Sequence, residues 1–132
     1  MIRLINGWEL PLKGHGVTVS SDKWSVTLLF KKESDEFTLH IEAPFNVENG
    51  SKKLEIDMGG DLAKAPLAVI LAEAIVEEAV AWDDGSLVLG FNDRRIIRIP
   101  GSKEFESWSI VGSNGLRIVS TPNCELEIWG IK

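Results

Sequence analysis

The chain has 132 residues, a formal net charge of −6 and a pI of about 4.9. This length is that of one ordinary domain, which buries a core without needing disulfides or a metal ion. The acidic balance opposes a phosphate backbone, so it argues against nucleic acid as a ligand and favours a basic protein as a partner.

The N-terminal stretch MIRLINGWELPLKGHG lacks the basic segment and continuous apolar core of a signal peptide. The longest apolar stretch, APLAVILAEA, is too short to span a bilayer. The single cysteine, Cys124, allows no disulfide within the chain, which fits a reducing compartment. We therefore expect a cytoplasmic protein with no membrane partner.

An internal repeat is visible when VSSDKWSVTLLF (19–30) is set against VAWDDGSLVLGF (80–91), because the two align without a gap. Beyond them, FTLHIEAP (37–44) and RIIRIP (95–100) share a pattern and a closing proline. The repeat thus covers about 17–44 and 78–100. Within each copy apolar residues alternate with polar ones, which predicts a strand, a turn, a strand, a turn and a third strand.

The stretch AWDDGS places Asp83 and Asp84 side by side between two predicted strands. Glycine tolerates positive φ, and an aspartate side chain can hydrogen-bond its own backbone, so Asp-Gly favours a tight hairpin. The corresponding turn SSDKWS keeps one acid, Asp22, aligned with Asp83. We interpret the acidic pair as a turn rather than as a catalytic or metal-binding pair.

A single helix over about 62–73 is predicted in DLAKAPLAVILAEAIVEEA, with Asp61 as a possible cap. Its apolar residues fall at helical spacing: Leu67, Ile70, Leu71 and Ala74. After the second copy, three further strands are expected near 105–112, 116–121 and 125–129, with GSNG and TPNC as turns. The fold expected is one mainly β domain over 1–132, with two repeated β-meander halves forming a barrel or sandwich and one helix in the connection.

Residues able to carry chemistry are few. His15 lies between two glycines in a segment expected to be a loop, and His40 is expected on the exposed face of a strand. Cys124 has Glu125 and Glu127 close by, which disfavours a reactive thiolate. We predict no catalytic, cofactor-binding or metal-binding residue and no cofactor.

The C-terminal segment FESWSIVGSNGLRIVSTPNCELEIWG, with the upstream VTLLF, APF and DDGSLVLGF, resembles a family of small bacterial β-rich proteins of unknown function that is common in actinobacteria. The matching residues run from about Leu12 onward and include Phe105, Glu106, Trp108, Gly112, Gly115, Val119, Pro122 and Trp129. The family pattern has more glycine than TPNCE offers at the last turn. The resemblance implies a shared fold and transfers no catalytic residue.

The leading functional hypothesis is a protein-binding module, of the kind that immunity proteins use to inhibit basic toxins. An aromatic residue rimmed by charge is typical of binding hot spots, and the residues assigned to this surface are Trp82, Asp83, Asp84, Glu77 and Glu78. The alternative is a small-molecule-binding β barrel or an undetected enzyme. A homodimer joined through an unpaired strand edge is a third possibility.

Overall fold

The computed structural model describes residues 1–57 and 65–130, which form thirteen strands and one short helix. The first seven strands are β1 (Ile2–Arg3), β2 (Gly7–Glu9), β3 (Gly16–Ser21), β4 (Val26–Lys32), β5 (Asp35–Ile41), β6 (Phe45–Asn49) and β7 (Lys52–Ile56). They are followed by α1 (Ala65–Ile70), β8 (Val76–Trp82), β9 (Leu87–Phe91), β10 (Ile96–Ile99), β11 (Trp108–Gly112), β12 (Arg117–Thr121) and β13 (Glu125–Trp129).

The strands form two antiparallel sheets. Sheet A has the order β1-β2-β8-β9-β10-β6-β7, and sheet B has the order β13-β12-β11-β5-β4-β3. Neither sheet closes on itself in the part of the chain that the structure describes, so the expectation of a mainly β fold is confirmed as a sandwich rather than a barrel. The inward side chains of both sheets meet in one core.

The two copies of the sequence repeat form equivalent three-stranded meanders in different sheets. The first copy supplies β3, β4 and β5 to sheet B, and the second supplies β8, β9 and β10 to sheet A. After each meander the chain crosses to the other sheet, where β6 pairs with β10 and β11 pairs with β5. Each half of the chain therefore contributes strands to both sheets.

The alternation predicted for the repeated strands is confirmed. In β4 the side chains of Val26, Leu28 and Phe30 are fully buried, while Thr27 and Leu29 are partly exposed on the outer face. In β9 the corresponding inward residues are Leu87, Leu89 and Phe91.

The helix ends three residues before the end of the predicted range 62–73. It ends at Ile70 because the hydrogen-bond spacing tightens: Leu71 donates to Leu67 O, but Ala74 donates to Leu71 O, only three residues back. Residues 62–64 and the proposed cap Asp61 lie outside the described residues. Of the predicted apolar face, Leu67, Leu71 and Ala74 are buried, and Ile70 is partly buried against the core. No helix in the described ranges is long and apolar enough to cross a membrane.

The two crossings that follow the meanders lie at one end of the sandwich, and the crossing from β2 to β3 lies at the opposite end. Because neighbouring strands run antiparallel, the register also places the other connections at one end or the other. We call the end at which the chain crosses from β5 to β6 and from β10 to β11 the acidic loop end; its fully described connections are residues 4–6, 22–25, 42–44, 83–86, 100–107 and 122–124. The opposite end has the connections 10–15, 33–34, 50–51, 71–75, 92–95 and 113–116.

Candidate functional site

The β8–β9 turn at the acidic loop end is anchored to the core through one carbonyl. Gly85 O accepts hydrogen bonds from the buried Trp108 Nε1 at 2.9 Å and from Ser120 Oγ at 2.6 Å. Gly85 itself has φ of 87° and donates its N–H to Trp82 O. These contacts hold the acidic turn rigidly against sheet B.

Asp84 is the residue that stabilises this turn internally. Its Oδ1 accepts hydrogen bonds from the backbone N–H of Ser86 at 3.0 Å and from Ser86 Oγ at 2.6 Å. In the corresponding β3–β4 turn, Asp22 Oδ1 accepts from the N–H groups of Trp24 and Ser25, both at 2.8 Å. An aspartate therefore stabilises both turns, but Asp84 takes the role that the alignment assigned to Asp83.

Asp83 instead forms a two-pronged ion pair with the N-terminal strand. Its Oδ1 and Oδ2 lie 2.7 and 2.8 Å from Arg3 Nη1 and Nη2. The hydrogen bonds from Arg3 lower the pKa of the Asp83 carboxyl below its ordinary value. Arg3 also lies over the ring of Trp8, at 5.2 Å from its centroid. Much of the Asp83 charge is thus compensated within the chain.

The remaining residues of the predicted surface are not all brought together. Trp82 is half-buried at the end of β8, next to Asp83. Glu77 and Glu78 are exposed, but they lie at the start of β8, where a bulge interrupts the pairing with β9. At about 3.3 Å per residue, Glu78 is roughly 16 Å along the strand from Asp83. Glu77 and Glu78 therefore face the opposite end of the sandwich.

Charge differs between the two ends. The connections of the acidic loop end carry two lysines, Lys23 and Lys103, against six acidic residues: Asp22, Glu42, Asp83, Asp84, Glu104 and Glu106. The connections of the opposite end carry three basic residues, Lys13, Arg94 and Arg95, and three acidic ones, Glu33, Glu73 and Asp93. Acidic excess is therefore concentrated at one end in the described part of the chain.

Three large apolar side chains are exposed among these acids. Ile5 is 92 % exposed at the β1–β2 connection, Trp24 is 64 % exposed at the β3–β4 turn, and Phe105 is 45 % exposed before β11. Sequence reasoning selected Trp82 and missed all three. The repeat contained a usable signal for Trp24, because this residue lies in the turn equivalent to the one beside Trp82.

The histidines occupy structural positions. His15 lies in the β2–β3 connection, a loop as expected, but it is buried; its N–H donates to Leu12 O in the same connection, and its carbonyl accepts from the N–H of Val76 in β8. Its ring meets Phe37 edge-on at 5.5 Å. His40 lies on the outer face of sheet B, with Nδ1 3.2 Å from Thr27 Oγ1 and Nε2 3.2 Å from Glu42 Oε1.

That hydroxyl–imidazole–carboxylate series follows from strand register, since Thr27 and His40 are directly opposite in the β4–β5 ladder. The depression beside it has a volume of about 10 Å³, close to that of one water molecule. Among the residues that the structure describes, no group of three or more His, Cys, Asp or Glu side chains is placed to hold a metal ion. Cys124 is partly buried in the β12–β13 turn, where Asn123 and Cys124 both have positive φ in place of glycine.

The fold and this surface define a class: a small antiparallel β sandwich whose connections at one end present acidic and apolar side chains. The chain belongs to the family of unknown function DUF6188, whose family model matches residues 8–130. This match confirms the resemblance to a family of unknown function, while the actinobacterial distribution stays a prediction. No curated protein and no solved structure matches the chain.

Proposed function

We propose that this protein is a protein-binding module that recognises a basic partner through the acidic loop end, as an immunity-type inhibitor does. The observation that supports the proposal is that, in the described part of the chain, acidic excess coincides at one end with the exposed Ile5, Trp24 and Phe105. Apolar anchors surrounded by charge are the usual composition of a binding hot spot. Acidic residues around them increase the rate of encounter with a basic protein.

The rigidity of the turns supports the same proposal. The β8–β9 turn is held by the Trp108 and Ser120 hydrogen bonds to Gly85 O, and the β3–β4 turn is held by Asp22. A surface that is ordered before binding loses less conformational entropy when a partner docks. The single cysteine supports a reducing, cytoplasmic setting for this module.

The surface assigned here differs in part from the one expected from sequence. Trp82, Asp83 and Asp84 belong to it, with Asp84 as the acid that has no cationic partner among the described ion pairs. Glu77 and Glu78 lie at the opposite end and become a control. Small-molecule binding inside a barrel is not favoured, because the two sheets do not close around a lumen.

The experiment is affinity capture from lysate of the source cell at low and high salt, with two variants that each lose three negative charges. The test variant is Asp84→Asn/Glu104→Gln/Glu106→Gln, and the control is Glu33→Gln/Glu77→Gln/Glu78→Gln. We expect wild type and control to capture the same basic protein, the test variant to lose it, and salt to release it.

With the captured partner purified, Trp24→Ala should weaken its Kd by about tenfold or more, as truncation of a hot-spot aromatic does. Circular dichroism of each variant excludes loss of fold as the cause. Equal capture of the basic protein by the test and control variants contradicts the proposal, whether both variants keep it or both lose it.

A further inference from the structure

Four strands border the two sheets, and three of them have features that oppose further pairing. β1 has only two residues, β7 carries Lys52 and Lys53, and β3 is bridged at Gly16 to Ile75 and contacts α1. β13 is protected by negative charge alone: its sequence ELEIW carries two exposed glutamates but no lysine or proline, and its pairing with β12 is regular throughout. Charged side chains, lysine above all, and prolines, bulges and short length are the usual means by which proteins protect sheet edges, and negative charge alone leaves an edge open to a basic strand.

The register shows which backbone groups of β13 point away from the sheet. Gly112 donates to Leu116 O, so Leu116 and every second residue after it direct their backbone groups towards β11. The intervening β12 residues, Arg117, Val119 and Thr121, direct theirs towards β13. The β13 residues that pair with these three are Glu125, Glu127 and Trp129. The N–H and C=O groups of Leu126 and Ile128 therefore point outward, and no residue in the described ranges hydrogen-bonds to them.

The side chains of β13 have a different distribution on each face. Glu125, Glu127 and Trp129 lie on the outer face of sheet B, and Trp129 is 48 % exposed beside the Arg117 guanidinium, 5.4 Å from its ring centroid. Leu126 and Ile128 face the core but are only partly buried, because no further strand covers them among the described residues. An added strand would cover both and satisfy the outward backbone groups.

We infer that β13 accepts an extended segment of a partner protein as an additional antiparallel strand of sheet B, and that this segment alternates basic and apolar residues. Residues directly opposite each other in such a pair share a face. Basic residues of the segment would lie opposite Glu125 and Glu127, and its apolar residues would lie opposite Leu126 and Ile128. The backbone bonds would provide affinity and the alternating side chains would provide specificity.

A second copy of the chain fits this edge less well. Antiparallel pairing of two β13 strands over their full length is centred on Glu127, which places the two Glu127 side chains directly opposite each other. Pairing centred on Leu126 places Glu125 opposite Glu127. Like charges at directly opposed positions are destabilising. The glutamates thus favour a basic strand and disfavour self-pairing in these registers.

This strand-binding edge uses residues other than those of the acidic loop end, so it stands whether or not the proposed function is correct. The probe is the peptide Lys-Val-Lys-Val-Lys-Val-Lys, capped at both ends and labelled, with binding measured by fluorescence anisotropy. In the inferred pairing, the valines lie opposite Leu126 and Ile128, so the valine N–H groups donate to β13. Two control peptides test this: one N-methylated at the valines and one N-methylated at the lysines.

The lysine-methylated peptide should bind like the parent, and the valine-methylated peptide should not bind. Ile128→Pro removes one outward N–H while leaving the bonds to β12, so it should weaken the Kd by about fivefold relative to Ile128→Ala, which keeps that N–H. Glu125→Gln/Glu127→Gln should weaken binding and reduce its dependence on salt. Circular dichroism checks that each variant keeps its sheet structure.

No binding of the parent peptide, equal binding of the two methylated peptides, or equal Kd values for Ile128→Pro and Ile128→Ala overturns the inference. Light scattering is run on the free protein, and a dimer that Ile128→Pro dissociates would also overturn it, because a second copy would then occupy the edge. The Asp84→Asn/Glu104→Gln/Glu106→Gln variant is included as a separate arm. Its peptide affinity should show no loss comparable to that of the β13 glutamine variant, which separates failure of this edge from failure of the acidic loop end.

Discussion

At the scale of single residues, Gly85 is where backbone conformation and close packing coincide. Its φ is 87°, and a Cβ built on it would lie 3.0 Å from the Cys124 carbonyl carbon. Gly50, in the β6–β7 turn, has φ of 64° and open space around the same position. The two glycines therefore separate the cost of positive φ from the cost of a steric clash.

We expect Gly50→Ala to lower the free energy of unfolding by about 1 kcal/mol, the usual cost of placing a Cβ in the left-handed region. Gly85→Ala should lower it by a larger amount, because the turn must also move away from Cys124 and strain the bonds to Gly85 O. Urea unfolding of both variants measures the difference. Equal decreases in the free energy of unfolding would show that the turn moves away from Cys124 without an energetic cost.

The residue scale also shows what local chemistry predicts and what it does not. Asp-Gly predicted the turn correctly, because the hydrogen bond from Ser86 to Asp84 is made within three neighbouring residues. It did not show that Asp83 pairs with Arg3, since that contact depends on β2 aligning beside β8. For Trp24 the repeat indicated a position in the equivalent turn, but it did not show that the side chain is exposed, because exposure depends on what surrounds the end of the sandwich.

At the scale of elements, α1 depends on its buried face. Six residues are too few for a helix to be stable in water by itself. Leu67 is fully buried, whereas Val69 is 78 % exposed on the same helix. Its stability therefore comes from packing of one face against the core.

Leu67→Ala should lower the free energy of unfolding by about 2–5 kcal/mol, as loss of a buried leucine does. Val69→Ala should change it by about 0.5 kcal/mol or less, the usual range for an exposed site. Thermal unfolding followed by circular dichroism gives both values. Comparable effects at the two positions would contradict the packing described for this helix.

Element types were predictable from sequence to a greater extent than element ends. Strict alternation in β4 and β9 gives the inward face directly, because successive strand residues point to opposite sides. The helical spacing of Leu67 and Leu71 identified the correct face of α1. The end of α1 was not predictable from the spacing of apolar residues. Ala74 must leave the helix for Val76 to join sheet A, and the spacing does not indicate where the helix ends for this reason.

At the scale of the whole molecule, the repeat does not produce two separable units. Repetition in the sequence indicates equivalent meanders but does not show in which sheet each one lies. In the structure, β5 from the first half pairs with β11, and β10 from the second half pairs with β6. Separating the halves would break both sheets at these pairings, so we expect neither half to be stable without the other.

This interlocking predicts one cooperative unfolding transition despite the internal repeat. Ile110 in sheet B and Ile97 in sheet A are both fully buried, and Ile→Val at either site removes one methylene at a cost of about 0.5–1.5 kcal/mol. Because the sheets share one core, each substitution should shift the whole transition to lower temperature, by the same amount whether it is followed by tryptophan fluorescence or by far-ultraviolet circular dichroism. Calorimetric and van't Hoff enthalpies should agree in both variants. A substitution that shifts only part of the signal, or that splits the transition in two, would show that the halves unfold separately and that the pairing of β5 with β11 and of β10 with β6 does not couple them.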